Sequence, residues 1–119
     1  MPDVRAQLRA FALALPEAVE EFPWSESVAK VRGRIFVFLG AETGEQAITV
    51  KLAESHGHAL SLDGARPTGY GLGRSGWVSL PVAAAPLDVL RDFVEESYRI
   101  VAPRRLVAEL DRRSGEEGA

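Results

Sequence analysis

"VAKVRGRIFVFLG", residues 28–40, decides the fold. Two short apolar runs flank Arg32-Gly33, and a glycine there suits a tight hairpin turn. With those two residues as the loop, Val31 faces Arg34 and Ala29 faces Phe36. Ala29, Val31, Phe36 and Phe38 then share one side of the sheet, and Val28, Lys30, Ile35, Val37 and Leu39 share the other. The second strand is apolar on both sides. It is therefore either central and covered twice, or its open side meets a partner.

Downstream, "GAETGE" reads as a polar turn and "AITVKL" as a third strand. Ile48, Val50 and Leu52 point inward there, with Thr49 and Lys51 outward, the alternation of a half-exposed antiparallel sheet. Residues 53–64 carry no firm period and suit a short helix or an irregular loop. "ARPTGYGLGRSG" is a glycine-rich loop with room for one brief edge strand, and "WVSLPV" is the final strand. Upstream, Val4, Leu8, Phe11 and Leu15 recur at helical spacing, with Asp3 as cap and Pro16 as terminator. "EAVEEFPWSES" then reads as an acidic connector, with Trp24 as its anchor on the core. At the far end a helix opens after Pro86, with Leu87, Leu90, Phe93 or Val94, Ile100 and Val101 on its apolar face. Pro103 starts a last helix on Leu106, Val107 and Leu110, which Ser114-Gly115 ends. The order is helix, four or five strands, then helices. It predicts an α+β fold, an antiparallel meander with the N- and C-terminal helices packed on one face. One domain is expected over residues 1–113, with a flexible tail over 114–119.

Composition narrows the function classes. Cysteine is absent from the 119 residues, which removes disulfides and thiolate metal sites. The opening "MPDVRAQLRAF" lacks a signal-peptide pattern, and the uncharged run from Ile35 to Ala41 is far short of a membrane span. A cytoplasmic protein with no membrane association is expected. The net charge of −3 argues against generic nucleic-acid affinity. The charge is uneven, though: residues 27–80 carry +2, and both flanks are negative.

"GLGRSGWV", residues 71–78, matches two nucleotide-binding glycine patterns. Its flanks match neither. A dinucleotide loop needs a strand before and a helix after, whereas breakers precede this one and a strand follows. A kinase loop needs a strand lysine, H-R-D and D-F-G downstream, and none occurs. The segment is read as a flexible glycine loop leading into the last strand, with Trp77 packed or lining a surface site. His56 and His58 read as surface histidines rather than a metal pair. Glu95 and Glu96 sit at spacings that suit surface ion pairs with Arg91 and Arg99. No catalytic residues, no metal ligands and no cofactor are expected, and the protein is not read as an enzyme.

Several segments together resemble the MmcQ/YjbR family. They are "ALPEAVEEFPW", "VAKVRGRIFVFLG", "ITVKL", "GYGLGRSGWVSL" and "LRDFVEESYRIVAP", in the family's order from about Leu13 to Leu110. The most specific are the glycine loop entering Gly76-Trp77-Val78 and the E-S-Y stretch of "EESYRIVAP". Members often carry lysines in the closing helix where this chain has Arg104 and Arg105. The resemblance implies a fold like bacterial frataxin and DNA binding through a double wing of β-hairpins. On this chain the wing residues would be Lys30, Arg32 and Arg34 on the hairpin, Lys51 on the third strand and Arg74 in the glycine loop. Gly71, Gly73 and Gly76 would let a phosphate approach backbone N–H groups. A second reading is a protein-interaction or small-ligand module on the open sheet face, using Gly73, Gly76 and Trp77. It expects Val37 or Trp77 to be exposed. Iron binding like that of frataxin would rest on fold analogy alone, and the first helix has too few carboxylates for it.

Overall fold

The computed structural model describes residues 3–23, 26–40, 46–69 and 71–118, with side chains to residue 115. Trp24 and most of the "GAETGE" turn lie outside the described residues. Helix α1 (Val4–Leu13) opens the fold, and the Asp3 carboxylate accepts from Arg5 N–H at 3.3 Å, as a cap should. The sheet is built from β1 (Val19–Glu21), β2 (Ser27–Val31), β3 (Arg34–Gly40), β4 (Ala47–Lys51), β5 (Arg66–Pro67) and β6 (Trp77–Pro81). All pairings are antiparallel, in the order β1-β2-β3-β4-β6-β5. Helices α2 (His56–Leu60), α3 (Leu87–Val101) and α4 (Arg104–Gly118) complete it. The protein is α+β, as the element order predicts. The stretch read as an acidic connector supplies a strand, β1, because Val19–Glu21 pairs with the free edge of β2.

One register row shows how the sheet divides. Ala29, Val37, Val50 and Val78 are cross-strand partners, and all four are fully buried. This is the helix-covered face, where α1 packs on β2 and β3, α3 packs on β3 and β4, and the two helices touch. The neighbouring row is Glu21, Val28, Phe38, Thr49, Ser79 and Arg66, one residue from each strand. It lies on the opposite face, which no helix covers among the described residues.

The hairpin departs from simple alternation. Arg32 and Gly33 form the turn with positive φ at both positions, +50° and +79°, and Val31 does face Arg34. Ala29, however, faces Val37 rather than Phe36. The pairing slips by one residue at Phe36 and again at Leu39. Phe36 meets the Tyr98 ring of α3 edge-on at 5.2 Å. The slips thus place Phe36, Val37 and Leu39 together in the core, and leave Ile35 and Phe38 on the open side. Val37 is buried under the helices, which corrects the expectation that it could be exposed.

A slipped ladder leaves backbone groups to satisfy, and helix side chains do it. Phe36 and Lys51 would be the next β3–β4 pair. Instead the Ser97 hydroxyl stands between them, accepting from Lys51 N–H at 2.9 Å and donating to the Phe36 carbonyl. At the second slip, Arg5 reaches from α1 and donates to the Leu39 and Gly40 carbonyls at 3.0 and 2.8 Å. Arg5 is only 5% exposed, and its position on α1 widens the apolar stripe into a half-polar one.

The E-S-Y stretch acts as a clamp. Glu96 accepts from Ala53 and Ser55 N–H at 2.8 and 3.2 Å, ahead of α2. It does not form the surface ion pair expected of it. Ser97 holds the strands, and Tyr98 donates to the Pro16 carbonyl at 2.8 Å, beyond the end of α1. Three consecutive residues of α3 thereby fix three other parts of the chain. Two further expectations fail on α3 and α4. Ile100 is 39% exposed rather than buried. The last helix continues past Ser114-Gly115 to Gly118, since Gly115 does not adopt the left-handed conformation of a helix stop.

Candidate functional site

The residues singled out as a basic wing do not converge. Cross-strand pairing puts Lys30 beside Ile35 on the open face, and its Nζ lies 3.0 Å from a Glu21 carboxylate oxygen. Arg32, at the hairpin tip, makes a two-pronged bond to Glu17 at 2.6 and 3.1 Å. That hydrogen bond lowers the Glu17 pKa and raises that of Arg32. Arg34 pairs with the core residue Val31 and so belongs to the helix side of the hairpin. Lys51 pairs with Trp77 on the open face, and Arg74 is exposed in the glycine segment. The five cations fall into two groups, one at the hairpin tip and one scattered over the open face.

At the tip, a shallow cleft of about 510 Å³ lies between the hairpin and the α3–α4 corner. Arg32, Arg34 and Arg104 line it, with Ile100 to Pro103 as its base. Arg105 also approaches Glu17, at 3.7 Å. Arg34 and Arg104 have no ionic partner among the described residues. Arg104 was not a candidate at the sequence level, because only the corner between the two helices carries it to the hairpin.

The glycine segment is not a phosphate cradle. Leu72–Ser75 forms one 3-10 turn between Gly71 and Gly76, whose φ values are +79° and +97°. The N–H groups of Leu72, Gly73, Arg74 and Gly76 all donate to backbone carbonyls of the same segment. None of these four is left to meet a phosphate, which corrects the expectation for Gly73 and Gly76. Their requirement is steric. A Cβ on Gly76 would stand 2.6 Å from the Leu52 carbonyl, and one on Gly73 would stand 2.9 Å from Pro67 Cβ. The segment is a tightly bonded turn rather than a flexible one. It delivers Trp77 to the open face, where the indole meets Phe38 edge-on at 5.6 Å.

Beside that aromatic pair runs a groove of about 320 Å³. Phe38, Ala47 and Leu72 supply its apolar surface. Thr49 and Thr68 each share a hydrogen bond with Ser79, at 2.9 and 3.0 Å, so the three hydroxyls form one polar line in the groove. Glu26 and Arg66 also line it. Neither has an ionic partner among the described residues. Sequence reading found Trp77 as a surface candidate but missed the rest. Only cross-strand register puts Phe38, Thr49, Ser79 and Arg66 in one row.

His56 and His58 lie on α2, two residues apart and so not on one face, and the His58 ring meets Phe93 at 5.7 Å. Among the described residues no three His, Asp or Glu side chains are grouped to hold a metal ion. No helix among them is long and apolar enough to cross a membrane.

Fold and surfaces together define an open-faced α+β protein, with helices on one side of an antiparallel sheet and a grooved surface on the other. The chain belongs to the YjbR family, whose sequence model matches residues 13–100. Among solved structures it is similar to Deinococcus radiodurans protein DR2400, which carries the domain DUF419. The TM-score is 0.66, with 24% identity over 79% of this chain and 75% of that one. That likeness is one of fold. No curated protein sequence matches the chain.

Proposed function

We propose that this protein is a non-catalytic binding module whose ligand occupies the groove on the open face of the sheet. The observation that supports this reading is the groove itself. An aromatic and aliphatic floor lies beside a line of hydroxyls and two charges with no ionic partner among the described residues, on a face that no described helix covers. Small-molecule sites combine mainly apolar walls with a few fixed polar groups in this way. A role in the cytoplasm, with no resident cofactor, belongs to the same proposal. A likeness to bacterial frataxin would, in this reading, be one of architecture alone and carry no iron chemistry. The test is a small-fragment screen read by amide chemical shifts. Hits should perturb Phe38, Thr49, Thr68 and Ser79 together, and Phe38→Ala should weaken them. Hits that map consistently elsewhere overturn the reading.

A second reading, DNA binding, keeps one favourable observation. Four arginines, Arg32, Arg34, Arg104 and Arg105, gather at the hairpin tip and the start of α4, and two of them have no ionic partner among the described residues. In this form DNA contact moves from a two-hairpin wing to the tip and the helix corner, and Lys30 and Lys51 fall outside it.

A further inference from the structure

The open-face groove holds two charges of opposite sign that have no described partner. Several charged groups near the sheet have a described partner of opposite sign or a backbone partner, while the side chains of Arg34, Lys51 and Arg74 have none. Lys30 pairs with Glu21, Arg32 with Glu17, Arg9 with Glu20, and Arg5 with two carbonyls. Glu26 and Arg66 line the same groove and pair neither with each other nor with any described residue. They stand at opposite ends of it. Glu26 precedes β2 and approaches Gly40 at the end of β3, with an oxygen 3.9 Å from where a Cβ on that glycine would lie. Arg66 lies on β5, three strands further across in the row Phe38, Thr49, Ser79, Arg66.

Four strand spacings, roughly 19 Å, separate the backbones of β2 and β5; the Glu26 carboxylate already reaches across to Gly40 on β3, and Arg66 leaning inward shortens the remaining gap of roughly 14 Å. An extended tripeptide reaches roughly 10 Å. Between the charges, three hydroxyls share two mutual hydrogen bonds. Each hydroxyl has one proton to donate, so one O–H and several lone pairs remain for a ligand. Phe38, Ala47 and Leu72 offer apolar contact alongside.

We infer that the groove takes a short zwitterion of the di- or tripeptide class. Its ammonium group faces Glu26, its carboxylate faces Arg66, and its amides meet the hydroxyls of Thr49, Thr68 and Ser79. Guanidinium suits a carboxylate through two parallel hydrogen bonds. A simple anion would leave Glu26 repelling it, and a simple cation would leave Arg66 doing so. The inference rests on the open face being the ligand site.

The test uses trialanine and three blocked forms: N-acetylated, C-amidated, and blocked at both ends. Binding is followed by amide shifts on the full chain. Trialanine should bind roughly fivefold more tightly than either singly blocked form, the scale of one exposed charge pair. Arg66→Gln should abolish the penalty for C-amidation alone, and Glu26→Gln the penalty for N-acetylation alone. Both residues are exposed, so the variants should keep the wild-type fold, which circular dichroism checks. Equal binding of all four peptides, or penalties that survive the substitutions, would overturn the inference. If the doubly blocked peptide still maps to Thr49 and Ser79, the groove reading stands without its charge assignment. If no peptide maps to the open face and the fragments also fall elsewhere, both are wrong.

Discussion

Gly76 illustrates how one residue carries a fold requirement that looks like a function. Its φ of +97° and the 2.6 Å approach of the Leu52 carbonyl both exclude a side chain. The Gly76 carbonyl in turn accepts from Leu52 N–H at 2.9 Å, which ties the turn to the end of β4. Gly76→Ala should lose about 2–3 kcal/mol of stability in urea unfolding, from left-handed strain plus displaced backbone. A loss under half a kcal/mol would show that the turn yields easily. Glu20 makes the complementary electrostatic case. Two short bonds from Arg9, at 2.6 and 2.7 Å, and one from Ser27 lower its pKa to about 2 against the cost of burial. The folded pKa lies below the unfolded one. Its contribution is therefore present above about pH 4.5 and is lost as the pH falls towards 2. With Arg9 45% exposed, we expect on the order of 1–2 kcal/mol rather than the full shift. Unfolding midpoints of wild type and Glu20→Gln should be separated at pH 7 and draw together as the pH falls from about 4.5 towards 2. Parallel curves would remove Glu20 from the account.

At the scale of elements, β3 is the strand the helices must accommodate. Strict alternation would place Phe36 and Val37 on opposite faces, and the register slips put both in the core. The cost falls on the backbone, and Ser97 and Arg5 meet it from two different helices. Ser97→Ala should leave the Phe36 carbonyl and Lys51 N–H without their bridging partner, at about 2 kcal/mol. Amide exchange would localise the effect to Lys51 and its neighbours in β4. A variant as stable as wild type, with Lys51 equally protected, would mean that the two strands close directly. The same argument recasts the E-S-Y stretch. Its residues look like surface polar groups in the sequence, yet each makes one or two long-range hydrogen bonds to a different part of the chain. Their role as a clamp suffices to explain why such a stretch stands at this point in α3.

For the molecule as a whole, charge sets what the DNA reading predicts. The net charge is −3, and three of the six basic residues between positions 27 and 80 lie apart from one another on the open face or in the glycine turn. Duplex DNA would meet only the four arginines at the tip and the α4 start. Any affinity should then be weak, with a log–log salt slope no steeper than about −4. The pair Arg34→Ala and Arg104→Ala should make that slope shallower by about 2. Gel-shift titrations across salt concentrations measure this, and unchanged binding in the double variant would exclude the tip as the DNA site.

The sequence by itself determined the composition of the layers. Helical spacing in Val4 to Leu15 and Leu87 to Val101, alternation in Ala47 to Leu52, and a glycine turn at Arg32-Gly33 are local patterns. Local patterns follow from backbone geometry and side-chain period, so they can be read without a fold. The glycine loop was legible as a non-nucleotide turn for the same reason, from its flanks. Tertiary structure alone decided the register of β3, the burial of Arg5 and Ser97, and the pairing of Lys30 and Arg32 with carboxylates. It also placed β6 between β4 and β5, which is what brings Ser79 between Thr49 and Arg66. Each of these depends on contacts between residues far apart in the chain, where a slip of one position changes which side chains meet. The open-face groove is of this second kind: every residue in it was visible in the sequence, and only the sheet puts them in one row.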